Sequence, residues 1–225
     1  MLRLSALLPF LLLLLQVVPP AYAAEQGRTI TRKTEHLVVT VQYPVLGNAT
    51  IDAESRQWAE RQVQSFEELV QAEEPTGPPY ELRINYTLSQ PSHRALSIGF
   101  DIWEYTGGAH GNLYHAPRTY DLATAQQLDL QDVFTETEQA LNRMSSYCYA
   151  ELATHLGDMR VEDMLRSGTS PDFDNFSAFL LTPDGIRILF APYQVAPYAA
   201  GAQKVDIPLS ELIEAGPRVE LWSRN

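Results

Sequence analysis

Apolar and polar residues alternate most regularly over two neighbouring segments in the middle of the chain. The segment YELRINYTL, residues 80–88, places apolar or aromatic residues at every second position, and ALSIGFDIWEY, residues 95–105, follows the same pattern. A period of two is typical of strands that bury one face. The six residues SQPSHR separate the two segments, so we predict that they pair as an antiparallel hairpin.

Further elements are predicted from the same two periodicities. Additional strands are indicated at 34–44, at 113–122 and, on both sides of a Pro-Asp-Gly turn and again near its end, within 177–212. Apolar residues three and four positions apart indicate amphipathic helices at 48–74, 135–157 and 161–168. These elements predict an α+β protein in which antiparallel sheets pack against a few amphipathic helices. We expect two small αβ lobes, at 24–90 and 91–225.

The N-terminal residues have the pattern of a secretory signal peptide. One arginine precedes an apolar run from Ala6 to Val18, and two prolines and the triplet Ala-Tyr-Ala follow it. An uncleaved membrane anchor is the alternative, but this run is shorter than the roughly 18 residues that a spanning helix needs. We therefore predict that residues 1–23 are removed and that the protein is periplasmic or secreted, with no membrane attachment after cleavage.

The charge of the chain limits its partners. It has 16 basic and 28 acidic residues, a formal net charge of -12. This balance argues against nucleic acid and anionic membrane surfaces and favours a cationic partner. A second interpretation is that the acidity only keeps an exported protein soluble.

The single cysteine, Cys148, lies within the apolar stripe of the helix predicted at 135–157. One cysteine cannot form an intramolecular disulfide, and a catalytic thiol needs an adjacent base and some exposure. We predict that Cys148 is a small core residue.

The stretch TGGAHGNLYH, residues 106–115, is the strongest local candidate for a site. A phosphate cradle would lead into a helix, but these glycines connect two predicted strands. We therefore attribute Gly107, Gly108 and Gly111 to a turn or bulge with positive backbone angles. His110 and His115 lack the neighbours of a zinc site, and the chain has no G-x-S-x-G elbow. We expect no metal, no cofactor and no catalytic residues.

Two longer segments carry a resemblance to a known family. YTGGAHGNLYHAPRTYDLATAQQLDLQDVF, at 105–134, and LTPDGIRILFAPYQVAPYAAGAQKVDIPLSEL, at 181–212, resemble a bacterial extracytoplasmic domain of unknown function with a GGAHG motif. That domain forms the lysozyme-receptor part of RsiV-type anti-sigma factors and precedes the catalytic domain of some peptidoglycan deacetylases. The first strand and helix resemble its companion N-terminal domain. Ala125 stands where the family's turn usually has glycine.

The resemblance implies a binding surface and leaves three functions open. We find no segment for holding a sigma factor and no deacetylase module, so we expect the extracytoplasmic domain alone. The first hypothesis is an exported cell-envelope binding module that recognises a cationic protein such as lysozyme, or peptidoglycan. The others are a hydrolytic or peptidoglycan-modifying enzyme that uses His110 with Asp101 and His115, and an envelope assembly factor. The candidate ligand-binding residues are Gly107, Gly108, Ala109, His110, Gly111, Tyr193, Pro197, Tyr198 and Gly201. Alternatively, these residues only shape and pack the loops.

Overall fold

The computed structural model describes residues 26–73, 75 and 77–223 and shows an α+β fold, as predicted. The predicted signal peptide, residues 1–23, lies outside these residues. A seven-stranded mixed sheet and a three-stranded antiparallel sheet form two packed units. None of the helices described is both long and apolar enough to cross a bilayer.

The larger sheet contains the first seven strands, which are β1 Gln26–Lys33, β2 Leu37–Val45, β3 Tyr80–Ser89, β4 Ala95–Tyr105, β5 Asn112–His115, β6 Arg118–Asp121 and β7 Gln126–Leu128. The smaller sheet contains β8 Phe179–Thr182, β9 Gly185–Phe190 and β10 Gln203–Pro208. The helices are α1 Ala49–Ala72, α2 Leu130–Val133, α3 Thr137–His155, α4 Glu162–Gly168 and α5 Phe173–Phe176. The predicted hairpin is confirmed as β3 and β4, paired antiparallel from Glu81 and Tyr105 onward.

Helix α1 explains why one strand pair is parallel although the hydrophobic pattern suggested antiparallel sheets. The Asn48 side chain caps the helix by accepting hydrogen bonds from the backbone N–H groups of Thr50 and Ile51. The helix then crosses the sheet and returns the chain to the end where β2 began, so β3 pairs parallel with β2. Its buried face, which includes Trp58 and Phe66, packs in the core of the larger sheet.

The strand predicted at 113–122 is divided into β5 and β6. Pro117 lies between them and has no backbone N–H for a ladder bond. Farther along, Ala125 has a φ of +57°. Glycine adopts that conformation at lower cost than alanine does. This backbone conformation therefore explains why the family that the sequence resembles usually has glycine at this position.

The smaller sheet packs against the open face of the larger one, and α3 packs on the smaller unit. The backbone N–H of Leu181 on β8 donates to Ser97 Oγ on β4 over 2.9 Å. Cys148 on α3 is fully buried, which confirms its predicted place in the core, and burial raises the pKa of its thiol. The lobe boundary predicted after residue 90 falls between the paired strands β3 and β4.

A buried carboxylate joins three separate parts of the chain. The side chain of Asp121 is 4% exposed and accepts hydrogen bonds from Arg94, at 3.0 and 3.2 Å, and from Arg218, at 3.2 Å. Burial alone would raise the pKa of Asp121, but the hydrogen bonds from Arg94, Ala123 N–H and Arg218 outweigh it and leave the pKa below its ordinary value. Arg218 thereby ties the C-terminal segment to the sheet.

Candidate functional site

Residues 106–111, called the glycine turn below, follow directly after the end of β4. Gly107 and Gly108 have φ angles of +90° and +91°, a region that side chains disfavour. The Tyr105 hydroxyl donates to the Gly108 carbonyl oxygen over 3.3 Å. The predicted positive backbone angles are therefore confirmed for these two glycines. Ala109 and His110 lie exposed on the far side of the turn.

Gly111 is required for a different reason, and its predicted positive φ is wrong. It is buried and is not among the residues with positive φ. A Cβ at this position would lie 2.5 Å from two atoms of the Trp103 indole, closer than real contacts allow. Close approach of the backbone to the indole, rather than a left-handed conformation, therefore selects glycine here.

The turn meets the second motif through Tyr198, which is 87 residues away along the chain from Gly111. The Tyr198 hydroxyl donates to the Gly111 carbonyl oxygen over 2.7 Å. The rings of His110 and Tyr198 stack with centroids 3.9 Å apart and planes inclined by 20°. The fold thus brings together the two segments that carry the candidate residues.

Tyr193 completes a cluster of three rings with His110 and Tyr198, called the ring cluster below. Its ring centroid lies 5.4 Å from that of Tyr198, and the residue is 57% exposed. Its φ of +71° is strained for a side chain of this size. This backbone conformation is therefore held by the surrounding chain, and it directs an aromatic side chain to the surface.

Two further candidate residues flank the turn that carries Tyr198. Pro197 precedes a single 3-10 turn at Tyr198–Ala200, and Gly201, with a φ of +70°, ends it. The Gln203 side chain donates to the carbonyl oxygens of Ala200 and Gly201, at 2.7 and 3.4 Å. These hydrogen bonds hold the C-terminal end of the turn that carries Tyr198.

The alternative catalytic set is only partly assembled. His115 Nδ1 lies 2.7 Å from Asp101 Oδ1, because the two residues are directly opposite on β5 and β4. The His115 side chain is 8% exposed, and its Nε2 is buried without a partner. His110 contacts Gly111 and Tyr198 instead. Within the described ranges, no group of three or more His, Cys, Asp or Glu side chains is arranged to hold a metal ion.

Sequence reasoning did not identify Trp103 as part of the site. The Arg83 guanidinium lies 4.9 Å from its ring centroid, and the Tyr105 ring stacks at 6.4 Å. The alternation of β4 does place Asp101, Trp103 and Tyr105 on one face. The alternation does not indicate that Gly111 packs against the Trp103 indole.

Comparison with known proteins identifies two matched regions. Residues 30–113 match the family model described as deacetylase PdaC, and residues 131–210 match the one described as a protein of unknown function, DUF3298. The glycine turn lies in the first region and Tyr193–Gly201 in the second. The ring cluster is therefore formed jointly by both regions.

Two curated relatives are similar to this chain. The chain is 31% identical over 174 residues to the peptidoglycan-N-acetylmuramic acid deacetylase PdaC of Bacillus subtilis, covering 76% of this chain and 37% of that protein. An esterase of Mycobacterium tuberculosis is 24% identical over 127 residues, covering 56% of this chain and 55% of its own length. The chain thus spans little more than half, or less, of these relatives.

The fold is also found in a solved structure. A DUF3298 family protein from Pseudomonas aeruginosa superposes with a TM-score of 0.64 at 15% identity, covering 89% of this chain and 97% of the other. At that identity the likeness establishes the fold alone. The two matched regions and the similarity to PdaC show that this chain carries a DUF3298 domain preceded by a PdaC-like region.

Proposed function

We propose that this protein is an exported binding module of the bacterial cell envelope and that the ring cluster contacts the glycan strands of peptidoglycan. The observation that carries the proposal is the stack of the exposed His110 on the half-buried Tyr198, beside the exposed Tyr193. Aromatic side chains with one apolar face and one polar end suit ligands that are themselves part apolar and part hydroxylated. The pyranose rings of a glycan have this character.

Preorganisation of the cluster supports a binding role. Tyr198 is held by its hydrogen bond to Gly111, and its loop by the Gln203 amide. Rings fixed before the ligand arrives lose little conformational freedom on binding. The similarity to a protein named as a peptidoglycan deacetylase supports the choice of ligand class.

The burial of His115 in the Asp101–His115 pair argues for a binding function and against a hydrolytic one. If Asp101 accepts the Nδ1 proton of His115, Nε2 is the nitrogen left to act as a base. That atom is buried, so a substrate lying on the ring cluster has no access to it. We therefore assign the pair to cross-strand packing of β4 and β5.

Replacing Tyr198 with alanine is expected to weaken binding of peptidoglycan sugar chains about tenfold, or about 1.4 kcal/mol. The substitution removes the central ring of the cluster and the hydrogen bond to Gly111. Tyr198→Phe, which keeps the ring, should weaken binding less. Isothermal titration calorimetry with purified sugar-chain fragments measures both effects.

Tyr114→Ala is the matched control for this experiment. Tyr114 is 46% exposed and lies on β5 opposite Ile102, whose side chain faces α1 rather than the ring cluster. Its replacement should leave glycan affinity unchanged. Absence of saturable binding by the unaltered protein, or equal losses for Tyr114→Ala and Tyr198→Ala, would reject the proposal.

The net charge of -12 favours a second candidate ligand, a cationic envelope protein such as lysozyme. Association with lysozyme is then expected to be fast at low salt and to weaken as salt rises, because the screening length falls to about 8 Å at physiological ionic strength. Surface plasmon resonance at increasing salt measures this. Equal binding of an unrelated small basic protein would show that charge alone is responsible, and no binding at low salt would exclude this candidate.

A further inference from the structure

A cavity of about 530 Å³ lies between α3 and β10, and its lining includes Ala200, two residues after Tyr198 of the ring cluster. Ala200 and Ala202, which follow Tyr198 on the same loop, form part of its wall. Leu152 and Val205 are buried and provide an apolar floor. We call this space the ionic cavity because of the side chains around it.

The rim of the ionic cavity carries charges of both signs. Glu151 and His155 extend from α3 and Lys204 from β10, and none of the three forms an ion pair with another residue in the described part of the chain. Asp206 also lines the cavity, but its carboxylate is bound by Arg187 at 2.6 and 2.9 Å. The residues that line the cavity therefore include one carboxylate residue and one lysine without an ion-pair partner among the described residues.

Lys204 is unusual in this chain, which has two lysines among its 16 basic residues. Arginines form the ion pairs of the fold, as Arg94, Arg187 and Arg218 show. Lysine is a mobile point charge that suits a ligand carboxylate without fixed geometry. A ligand that satisfies this rim carries both a carboxylate and an ammonium group, as short peptides do.

We infer that the ring cluster and the ionic cavity form one site for a peptide-bearing glycan. The rings contact the sugar, and Lys204 and Glu151 bind the carboxylate and the ammonium group of the attached peptide. This inference rests on the proposed function and narrows it, because a sugar chain without peptide has no group for the ionic cavity. The 3-10 turn at Tyr198–Ala200 connects the two parts, and the Gln203 side chain holds the C-terminal end of that turn.

The test compares three probes by calorimetry: a peptidoglycan sugar chain stripped of peptide, the same chain bearing its peptides, and the free peptide. Lys204→Gln and Glu151→Gln are each expected to weaken binding of the peptide-bearing chain about fivefold, the upper range for an exposed ion pair. Neither should change the affinity for the stripped chain. Lys33→Gln is the matched control, because Lys33 is the other lysine and lies exposed on β1.

The outcomes separate this inference from the proposed function. If the stripped chain binds and depends on Tyr198 while Lys204→Gln and Glu151→Gln have no effect on any probe, the proposed function stands and the ionic cavity is rejected. Equal losses for stripped and peptide-bearing chains in those two variants would also reject it. If the stripped chain fails to bind and the free peptide accounts for all affinity, the joint site and the glycan proposal both fail.

Discussion

Replacing Asp121 with alanine is expected to cost about 3 kcal/mol of unfolding free energy. The substitution leaves the guanidinium groups of Arg94 and Arg218, each about one third exposed, without their shared carboxylate. Removing one partner of a buried ion pair is expensive because the remaining charge stays desolvated. The loss should be nearer the lower end of the usual range, since both arginines keep some contact with water. Urea unfolding followed by tryptophan fluorescence measures it.

The same carboxylate makes stability depend on pH in a defined direction. The pKa of Asp121 is lowered in the folded protein. The contribution of its carboxylate to the free energy of unfolding is therefore complete above the ordinary carboxyl pKa and is lost as the pH falls through the pKa of the folded state. The difference in stability between the unaltered protein and Asp121→Asn should therefore be constant above about pH 5 and shrink below about pH 4.

Asp184→Asn serves as the control, since Asp184 is exposed in the turn between β8 and β9 and forms no ion pair with any residue that the structure describes. Its replacement should change stability by less than about 0.5 kcal/mol. A cost for Asp121→Ala as small as that of the control would mean that Arg94 and Arg218 find other partners, and the proposed tie between the C-terminal segment and the sheet would be withdrawn.

Elements with a strong local period were predictable from the sequence. The alternation over 80–88 and 95–105 gave β3 and β4, and the helical spacing around Cys148 gave α3 and its buried face. In these segments the apolar residues of the pattern are also the residues that are buried, so the pattern alone identifies the element and its buried face. Strand β1 was missed because its residues are mostly exposed and polar, and pairing with β2 rather than burial makes it a strand.

The candidate site was only partly predictable, because its geometry depends on contacts that the local pattern does not encode. Family resemblance brought Tyr198 and the glycine turn together as candidates, but nothing in the sequence indicates that the tyrosine hydroxyl reaches Gly111. Likewise, Asp101 and His115 meet because of the register between β4 and β5. The role of Gly111 was misassigned since close approach to an indole and a positive φ select the same residue.

Because close approach to the indole selects glycine at position 111, Gly111→Ala is expected to lower the free energy of unfolding by about 2 kcal/mol. The new Cβ would overlap the Trp103 indole, and the ring is held by Arg83 and Tyr105, so it cannot move without losing these contacts. Gly108→Ala meets no atom within 4 Å and adds only the cost of a φ of +91°, about 1 kcal/mol.

A double-mutant cycle decides whether the indole is the cause of the loss. Trp103→Leu removes Nε1, Cε2 and Cζ2, the indole atoms nearest to position 111, so Gly111→Ala should cost clearly less in that background than in the unaltered protein, while the cost of Gly108→Ala should stay the same. Chemical unfolding of the six proteins in the two series measures both differences. An equal cost for Gly111→Ala in both backgrounds would contradict the steric account, and the backbone conformation at Gly111 would then have to explain the glycine.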